Sequence, residues 1–86
     1  MKLRYHKNFQ KQLIKLPATK QELCKHRLIL FATNQDHPLL RRHALKGNYL
    51  NHCSLSAGGD LRIIYKQISF DEIEFVAVGT HAQLYK

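Results

Sequence analysis

The stretch "YLNHCSLSAGGDLRIIYKQISFDEIEFVAVGT", from Tyr49 to Thr80, decides the fold. It holds three runs with the alternation or the β-branched content of strands, separated by the turn sequences "GGD" and "SFDE". Gly58 and Gly59 in the first turn are free to adopt positive φ. These signals predict a meander of three antiparallel strands.

The alternation also assigns the side chains of these strands to two faces. On the first strand, Leu50, His52, Ser54 and Ser56 are expected to oppose Asn51, Cys53, Leu55 and Ala57. On the second strand, Arg62 and Ile64 are expected to oppose Leu61, Ile63 and Tyr65. On the last run, Val76, Val78 and Thr80 are expected to oppose Phe75, Ala77 and Gly79. Because burying an arginine in so small a core would be costly, the face with Arg62 is predicted to be open and available for binding.

The residues before the meander predict one strand and two helices. Residues 2–6, "KLRYH", alternate as a short strand does. Helical stripes follow at Phe9, Leu13 and Leu16 and, beyond Pro17, at Cys24, Leu28 and Phe31. Thr19 and Glu22 match a capping box, so the second helix is expected to run from there to about residue 33. The predicted order over residues 1–86 is β-α-α-β-β-β, a single compact α+β domain with both helices packed on a twisted, mostly antiparallel sheet.

The charge is concentrated in the first part of the chain. The 86 residues carry a formal charge of +8 at pH 7 and a pI of about 9.8. Residues 1–50 hold eleven Lys or Arg and two Asp or Glu, a net of +9, whereas residues 51–86 hold three and four, a net of −1. Such a field attracts nucleic acid, an acidic protein or anionic lipid. The alternative is a protein that is basic without a polyanionic partner.

Two further features bear on the cellular compartment. No apolar run approaches 18 residues and no signal-peptide pattern opens the chain, so lipid ranks behind the other partners. Cys24 and Cys53 lie in a helical stripe and in a strand pattern, which predicts reduced thiols rather than a disulfide framework. Both observations favour a cytoplasmic protein.

The basic and imidazole residues around the meander suit phosphoryl transfer on RNA, provided that they converge. His43 and Lys46 precede the first strand, while His81 and Tyr85 follow the last. Histidine can remove a proton from a 2′-hydroxyl or protonate the leaving 5′-oxygen, and an arginine such as Arg62 can stabilise charge on the phosphate. The two ends of a three-stranded meander lie at opposite edges of the sheet, so convergence requires loops or tails that fold back.

Each of these residues also has a structural alternative. His43 can be a solvated loop residue, Arg62 can pair with Glu74 across the sheet, and Asp60 can belong only to its turn. A zinc site built from His37, His43, His52 and Cys53 matches no standard ligand spacing. No metal and no cofactor is therefore expected.

Four segments, "HALKG" (43–47), "GGDLRIIY" (58–65), "GTHAQLY" (79–85) and the opening "YHKNFQKQLIKL" (5–16), resemble in order and spacing the RelE/ParE superfamily of bacterial toxins. The similarity is closest to the YafQ-like branch and covers nearly the whole chain. It implies the compact fold predicted above and a metal-independent endoribonuclease that cuts mRNA in the ribosomal A site. It also implies an antitoxin partner whose acidic or amphipathic segment covers the basic surface.

The resemblance assigns roles to individual residues. It implies catalytic roles for His43, Asp60, Arg62, His81 and Tyr85, and Lys46 joins the neighbouring Arg41 and Arg42 as predicted RNA-binding residues. The chain departs from the branch at Ala77, where an arginine is usual, at Leu61, where an aromatic residue is common, and at Ser56, where a histidine occurs. Arg62 stands where RelE-like toxins place a cation, which implies a hybrid site.

Two other functions remain open on the sequence. One is inhibition of DNA gyrase, as in the ParE branch, which is a binding activity without nuclease chemistry. The other is a catalytically weak or inactive RNA-binding paralogue, which Ala77 would explain. The pair His43 and His81 favours RNA cleavage, because ParE-like proteins lack such a pair.

Overall fold

The computed structural model describes residues 1–85, which form five strands and three helices. The strands are β1 (Lys2–Tyr5), β2 (His43–Ala44), β3 (His52–Ser56), β4 (Leu61–Ser69) and β5 (Glu72–Thr80), and the helices are α1 (Lys7–Ile14), α2 (Ala18–Thr33) and α3 (His81–Leu84). They build one sheet in the order β1-β5-β4-β3-β2, in which β1 runs parallel to β5 and all other neighbours are antiparallel. The predicted α+β fold is confirmed.

The main core lies between the sheet and the helices α1 and α2, on what we call the first face. Phe75 on β5 is its centre, because its ring lies 5.9 Å from Phe9 of α1 and 5.8 Å from Phe31 of α2. Tyr65 on β4 completes the cluster at 6.2 Å from Phe75. These aromatic contacts fix both helices against the two central strands.

The predicted alternation of β5 is wrong beyond Phe75. Ile64 pairs with Ala77 while the next residue, Tyr65, pairs with Phe75, so Val76 is an extra residue in the ladder. A bulge of this kind turns the strand, so Phe75 and Val78 both enter the first-face core. Ala77, together with Val76, joins the opposite side, which we call the second face.

The second helix begins earlier than predicted. Its N-cap is Pro17 rather than Thr19, and the Pro17 carbonyl accepts from the N–H groups of Lys20 and Gln21 at 3.0 Å each. The Gln21 side chain donates to the Leu16 carbonyl at 2.9 Å. A proline is well placed at a helix start because its missing N–H and fixed φ cost nothing there.

The segment between α2 and β3 is more ordered than its polar sequence suggests. It contains the short 3-10 turns Pro38–Leu40 and Gly47–Tyr49 and the edge strand β2. Leu45 N–H donates to the His52 carbonyl at 2.9 Å, which extends the pairing of β2 with β3. A two-residue strand is too short to produce a recognisable alternation.

Both cysteines are free thiols, as predicted. Cys24 is buried on α2, and burial raises the pKa of its thiol to about 11. Within residues 1–85, no helix combines the length and the hydrophobicity needed to cross a bilayer.

The aromatic core yields a test of what holds the helices. Phe75→Ala removes the ring that touches both helices and should lower the free energy of unfolding by roughly 3–5 kcal/mol. Phe70→Ala is the matched control, since Phe70 is 95% exposed in the β4–β5 turn and its loss should change little. Urea denaturation of the two variants measures the difference, and equal stabilities would contradict this description of the core.

Candidate active site

The second face, turned away from α1 and α2, presents Ser54 and Ser56 of β3 and Arg62 and Ile64 of β4, as the alternation within each of these two strands predicts. One row across the strands consists of His43, Ser54, Ile64 and Ala77, and the next row toward the β3–β4 turn consists of Ser56, Arg62 and Gly79. Arg62 is half-buried there. Ser54 is fully buried, and its hydroxyl has no hydrogen-bond partner within the described part of the chain.

Two segments fold back over this face. Residues 45–50 approach it from the β2 edge, and the last described residues approach it from the end of β5. Leu84 from the second segment packs on Ile64 and Ala77 of the sheet, and Tyr49 and Tyr85 pack against this small apolar cluster. The rings of Tyr49 and Tyr85 meet edge to face, with centroids 5.8 Å apart. This contact supplies the convergence that a three-stranded meander lacks.

Local hydrogen bonds hold His81 beside the β3–β4 turn. The N–H of His81 donates to the Asp60 carbonyl at 2.9 Å. A capping box starts α3, because the Thr80 hydroxyl accepts from the Gln83 N–H at 3.2 Å while the Gln83 side-chain oxygen accepts from the Thr80 N–H at 2.8 Å. A Cβ at Gly79 would lie 2.9 Å from that Gln83 oxygen, so any larger residue there would force the Gln83 side chain to shift and would disturb the capping box.

Four of the predicted catalytic residues gather at this end of the second face. The exposed Asp60 lies in the turn, and Arg62 Nη1 donates to the carbonyls of Gly59 at 2.9 Å and Leu61 at 3.0 Å. The exposed His81 ring packs against Tyr85, with centroids 4.6 Å apart. A carboxylate, a guanidinium and an imidazole are thus accessible within one region.

The alternative pairing of Arg62 with Glu74 does not occur. Arg62 lies opposite Gly79, and Glu74 lies opposite Lys66, four residues further along β4. Among residues 1–85, Arg62 takes part in no ion pair. Its guanidinium therefore keeps donors free for an anion.

His43 lies on the same face but at its far edge. It is exposed on β2, and three strand spacings of about 4.8 Å put its Cα roughly 14 Å from that of Ala77. Its Nδ1 is 3.1 Å from the Arg41 carbonyl. Donation from Nδ1 to this carbonyl would leave Nε2 as a free acceptor, the form that a general base requires.

The two arginines before His43 lie apart from the Asp60 end. Arg41 is exposed in a left-handed conformation with φ 46°. Arg42 pairs with Asp36 and approaches Tyr65, which belongs to the first-face core. Burial is the main cause that raises the pKa of Tyr65 to about 12, and the neighbouring Cys53 raises it further, whereas Arg42 lowers it.

Lys46, in contrast, is exposed at the start of the segment that crosses the second face.

No metal site is evident in the part of the chain that the structure describes. Among residues 1–85, no three His, Cys, Asp or Glu side chains lie close enough together to hold an ion. His43, His52 and Cys53, which the sequence offered as conceivable zinc ligands, are divided between the two faces.

Comparison with known families agrees with this geometry. Residues 1–86 match the family described as the bacterial toxin of type II toxin–antitoxin systems, YafQ. The chain belongs to the YafQ family. It is therefore a toxin of a type II toxin–antitoxin system. The sequence has no significant match among curated proteins.

Solved structures share the fold of this YafQ-family chain. YafQ from E. coli superposes with a TM-score of 0.80 at 21% identity, covering 98% of this chain and 97% of that one. The YoeB/ParE toxin from Agrobacterium tumefaciens gives 0.75 at 18% identity, covering 94% and 99%. The E. coli DinJ–YafQ toxin–antitoxin complex gives 0.73 at 23% identity, covering 98% and 96%.

Several residues of the site were not anticipated from the sequence. Tyr49 bridges the second face, since it contacts Tyr85 on one side and the His52 ring, 5.9 Å away, on the other. No sequence pattern marks Tyr49, because its role depends on a segment folding back. The capping box of α3, in contrast, has a recognisable sequence pattern, "THAQ" from Thr80 to Gln83.

The cap of α3 generates a prediction about the position of His81. Thr80→Ala removes the hydroxyl that accepts from the Gln83 N–H, which should cost the local structure about 1 kcal/mol. Amide exchange of residues 81–85 should accelerate, whereas Thr80→Ser should keep the wild-type rates. Unchanged exchange in Thr80→Ala would show that the cap does not position His81.

Proposed function

We propose that this YafQ-family toxin is a metal-independent endoribonuclease that cleaves mRNA on the ribosome, in the cytoplasm. The observation that carries the proposal is the gathering of Asp60, Arg62 and His81 on a half-covered sheet face, with the His81 N–H bonded to the Asp60 carbonyl. These groups can transfer protons and hold phosphate charge at neutral pH without a metal ion.

The reaction is an attack of a 2′-hydroxyl on the adjacent phosphate. A base takes the proton of the 2′-hydroxyl as the 2′-oxygen–phosphorus bond forms, and an acid protonates the 5′-oxygen as its bond to phosphorus breaks. The products are a 2′,3′-cyclic phosphate and a 5′-hydroxyl. His81 serves as one proton-transfer group, with His43 and Asp60 as candidates for the other, and Arg62 stabilises the charge that develops on the phosphate.

The remaining residues hold the RNA. Tyr85 lies against His81 and offers an aromatic surface to a base, and Lys46 offers an exposed cation on the way to His43. Arg41 and Arg42 add to the basic field at the β2 edge. Ala77 is buried, with Tyr49 and Tyr85 packed against its cluster, and it carries no charge. Arg62 therefore supplies the fixed positive charge of the site.

The partner that restrains the toxin is an antitoxin protein. The fold similarity to the DinJ–YafQ complexes supports this assignment, as does the charge of +8. An antitoxin with an acidic segment would neutralise the charge that draws the toxin to RNA.

His81→Ala should lower the cleavage rate about 10²–10⁴-fold if His81 transfers a proton. The measurement is a map of new mRNA 5′ ends after brief induction, beside the control His26→Ala, which replaces an exposed histidine of α2. Cuts inside translated codons should persist in the control and vanish in His81→Ala. Growth arrest without cuts in the wild type would contradict the nuclease and favour gyrase inhibition.

Lys46→Ala should weaken RNA binding without removing a proton-transfer group. For single strands, the slope of log affinity against log salt should fall by about 0.7 when one phosphate contact is lost. Titration with an oligonucleotide of 2′-O-methyl sugars, which cannot be cleaved, gives the slope. Lys25→Ala on α2 is the matched control, and equal slopes in both variants would exclude Lys46 from the RNA contact.

A further inference from the structure

A second surface lies on the outer side of α2, which packs on the first face of the sheet. It is an apolar groove of about 620 Å³ between one stripe of α2 and Leu39. Its apolar members include Ile29, 68% exposed, Leu39, 57% exposed, and Leu23, 43% exposed. The Arg27 side chain donates to the Leu39 carbonyl at 3.4 Å and joins the two walls. Large apolar side chains grouped in this way mark a surface that a partner covers.

The shape of the groove favours a helical binding partner. The stripe of α2 extends from Thr19 to Thr33, which is roughly 21 Å at 1.5 Å per residue, the length of a partner helix of about four turns. The walls are side chains of a helix and of a 3-10 turn and include no strand edge. An extended segment would leave its backbone groups unpaired there, whereas a helix satisfies its own.

The charge around the groove selects an acidic partner. α2 carries Lys20, Lys25 and Arg27 against the single acid Glu22, which already pairs with Lys25 at 3.5 Å. A second copy of this chain would bring another charge of +8 to the contact and would be repelled. Glutamates flanking an apolar stripe would instead meet the lysines and the arginine.

We propose that this groove binds an amphipathic acidic helix of the antitoxin, with Ile29 and Leu39 as its apolar contacts. The proposal rests on the antitoxin partner proposed above and adds where that partner anchors. The groove and the Asp60 end lie on elements at opposite faces of the sheet. The two surfaces adjoin at one end, because Leu23 of the groove lies 3.7 Å from the position that a Cβ at Gly58 would take, in the turn that carries Asp60. A helix bound along the groove would still leave the second face uncovered, so a further antitoxin segment would have to reach that face.

The direct test uses a synthetic helical peptide of sixteen residues, with leucines spaced i, i+4, i+7 and i+11 and glutamates beside them. Its affinity is measured by fluorescence anisotropy for wild type, Ile29→Glu and Ile14→Glu. Ile14 is a matched control because it is an isoleucine 72% exposed on α1 and does not line the groove. Circular dichroism verifies that each variant is folded.

The wild type and Ile14→Glu should bind the peptide alike, and Ile29→Glu should bind it roughly tenfold more weakly or worse. A peptide with lysines in place of the glutamates should not bind. Equal affinities of the two variants, or no binding of the acidic peptide by the wild type, would overturn the proposal. A wild-type dimer in sedimentation that Ile29→Glu dissociates would overturn it in favour of a second copy.

A second test, in cells, uses the natural antitoxin. This antitoxin is identified as the protein from the source genome that restores growth to cells producing the toxin. This protein should rescue cells that produce Ile14→Glu and fail to rescue those that produce Ile29→Glu. Rescue of both would overturn the proposal. If the toxin cleaves no RNA, the nuclease function fails, whereas the peptide measurement still decides the groove.

Discussion

A five-stranded sheet has two faces, and the two longer helices of this chain, α1 and α2, both pack on the same one. The residues of α1 and α2 cover the first face, where Phe75 brings them together. Among residues 1–85, the second face is covered by residues 45–50 and by α3 with Tyr85. The described elements thus leave the second face partly open, and the proposed chemistry is assigned to that face.

The partial cover also orders the site. The tyrosines at positions 49 and 85 close over Ile64 and Ala77, and this small apolar cluster fixes the end of the chain on the sheet. The bond from the His81 N–H to the Asp60 carbonyl then sets the imidazole beside the turn. An arginine at position 77, which the resemblance led us to expect, would have to displace the two rings, so the apolar cover seen here is incompatible with it.

Strand pairing made the fold predictable, and departures from regular pairing limited what could be predicted. The alternation of side chains along β3 and along β4 follows from their period-2 sequence patterns, so the side of its strand on which each of Ser54, Arg62 and Ile64 lies was predictable. The bulge at Val76 was not, because an extra residue leaves no mark in a run of small apolar side chains. Convergence of the site was not predictable either, since it depends on the contact between Tyr49 and Tyr85, two residues far apart in the sequence. The four motif segments, in contrast, were sufficient to predict the family, which the family match confirms.

The proposed cleavage of RNA at the half-covered face requires attack by a 2′-hydroxyl. The most direct measurement uses ribosomes programmed with an mRNA that carries a single 2′-deoxy nucleotide at the mapped cut, beside the all-ribose mRNA. The all-ribose mRNA should be cut, leaving a 5′-hydroxyl and a 2′,3′-cyclic phosphate, and the deoxy mRNA should stay intact at that position. Cleavage of the deoxy mRNA at an equal rate, or a 5′-phosphate on the product, would contradict the account.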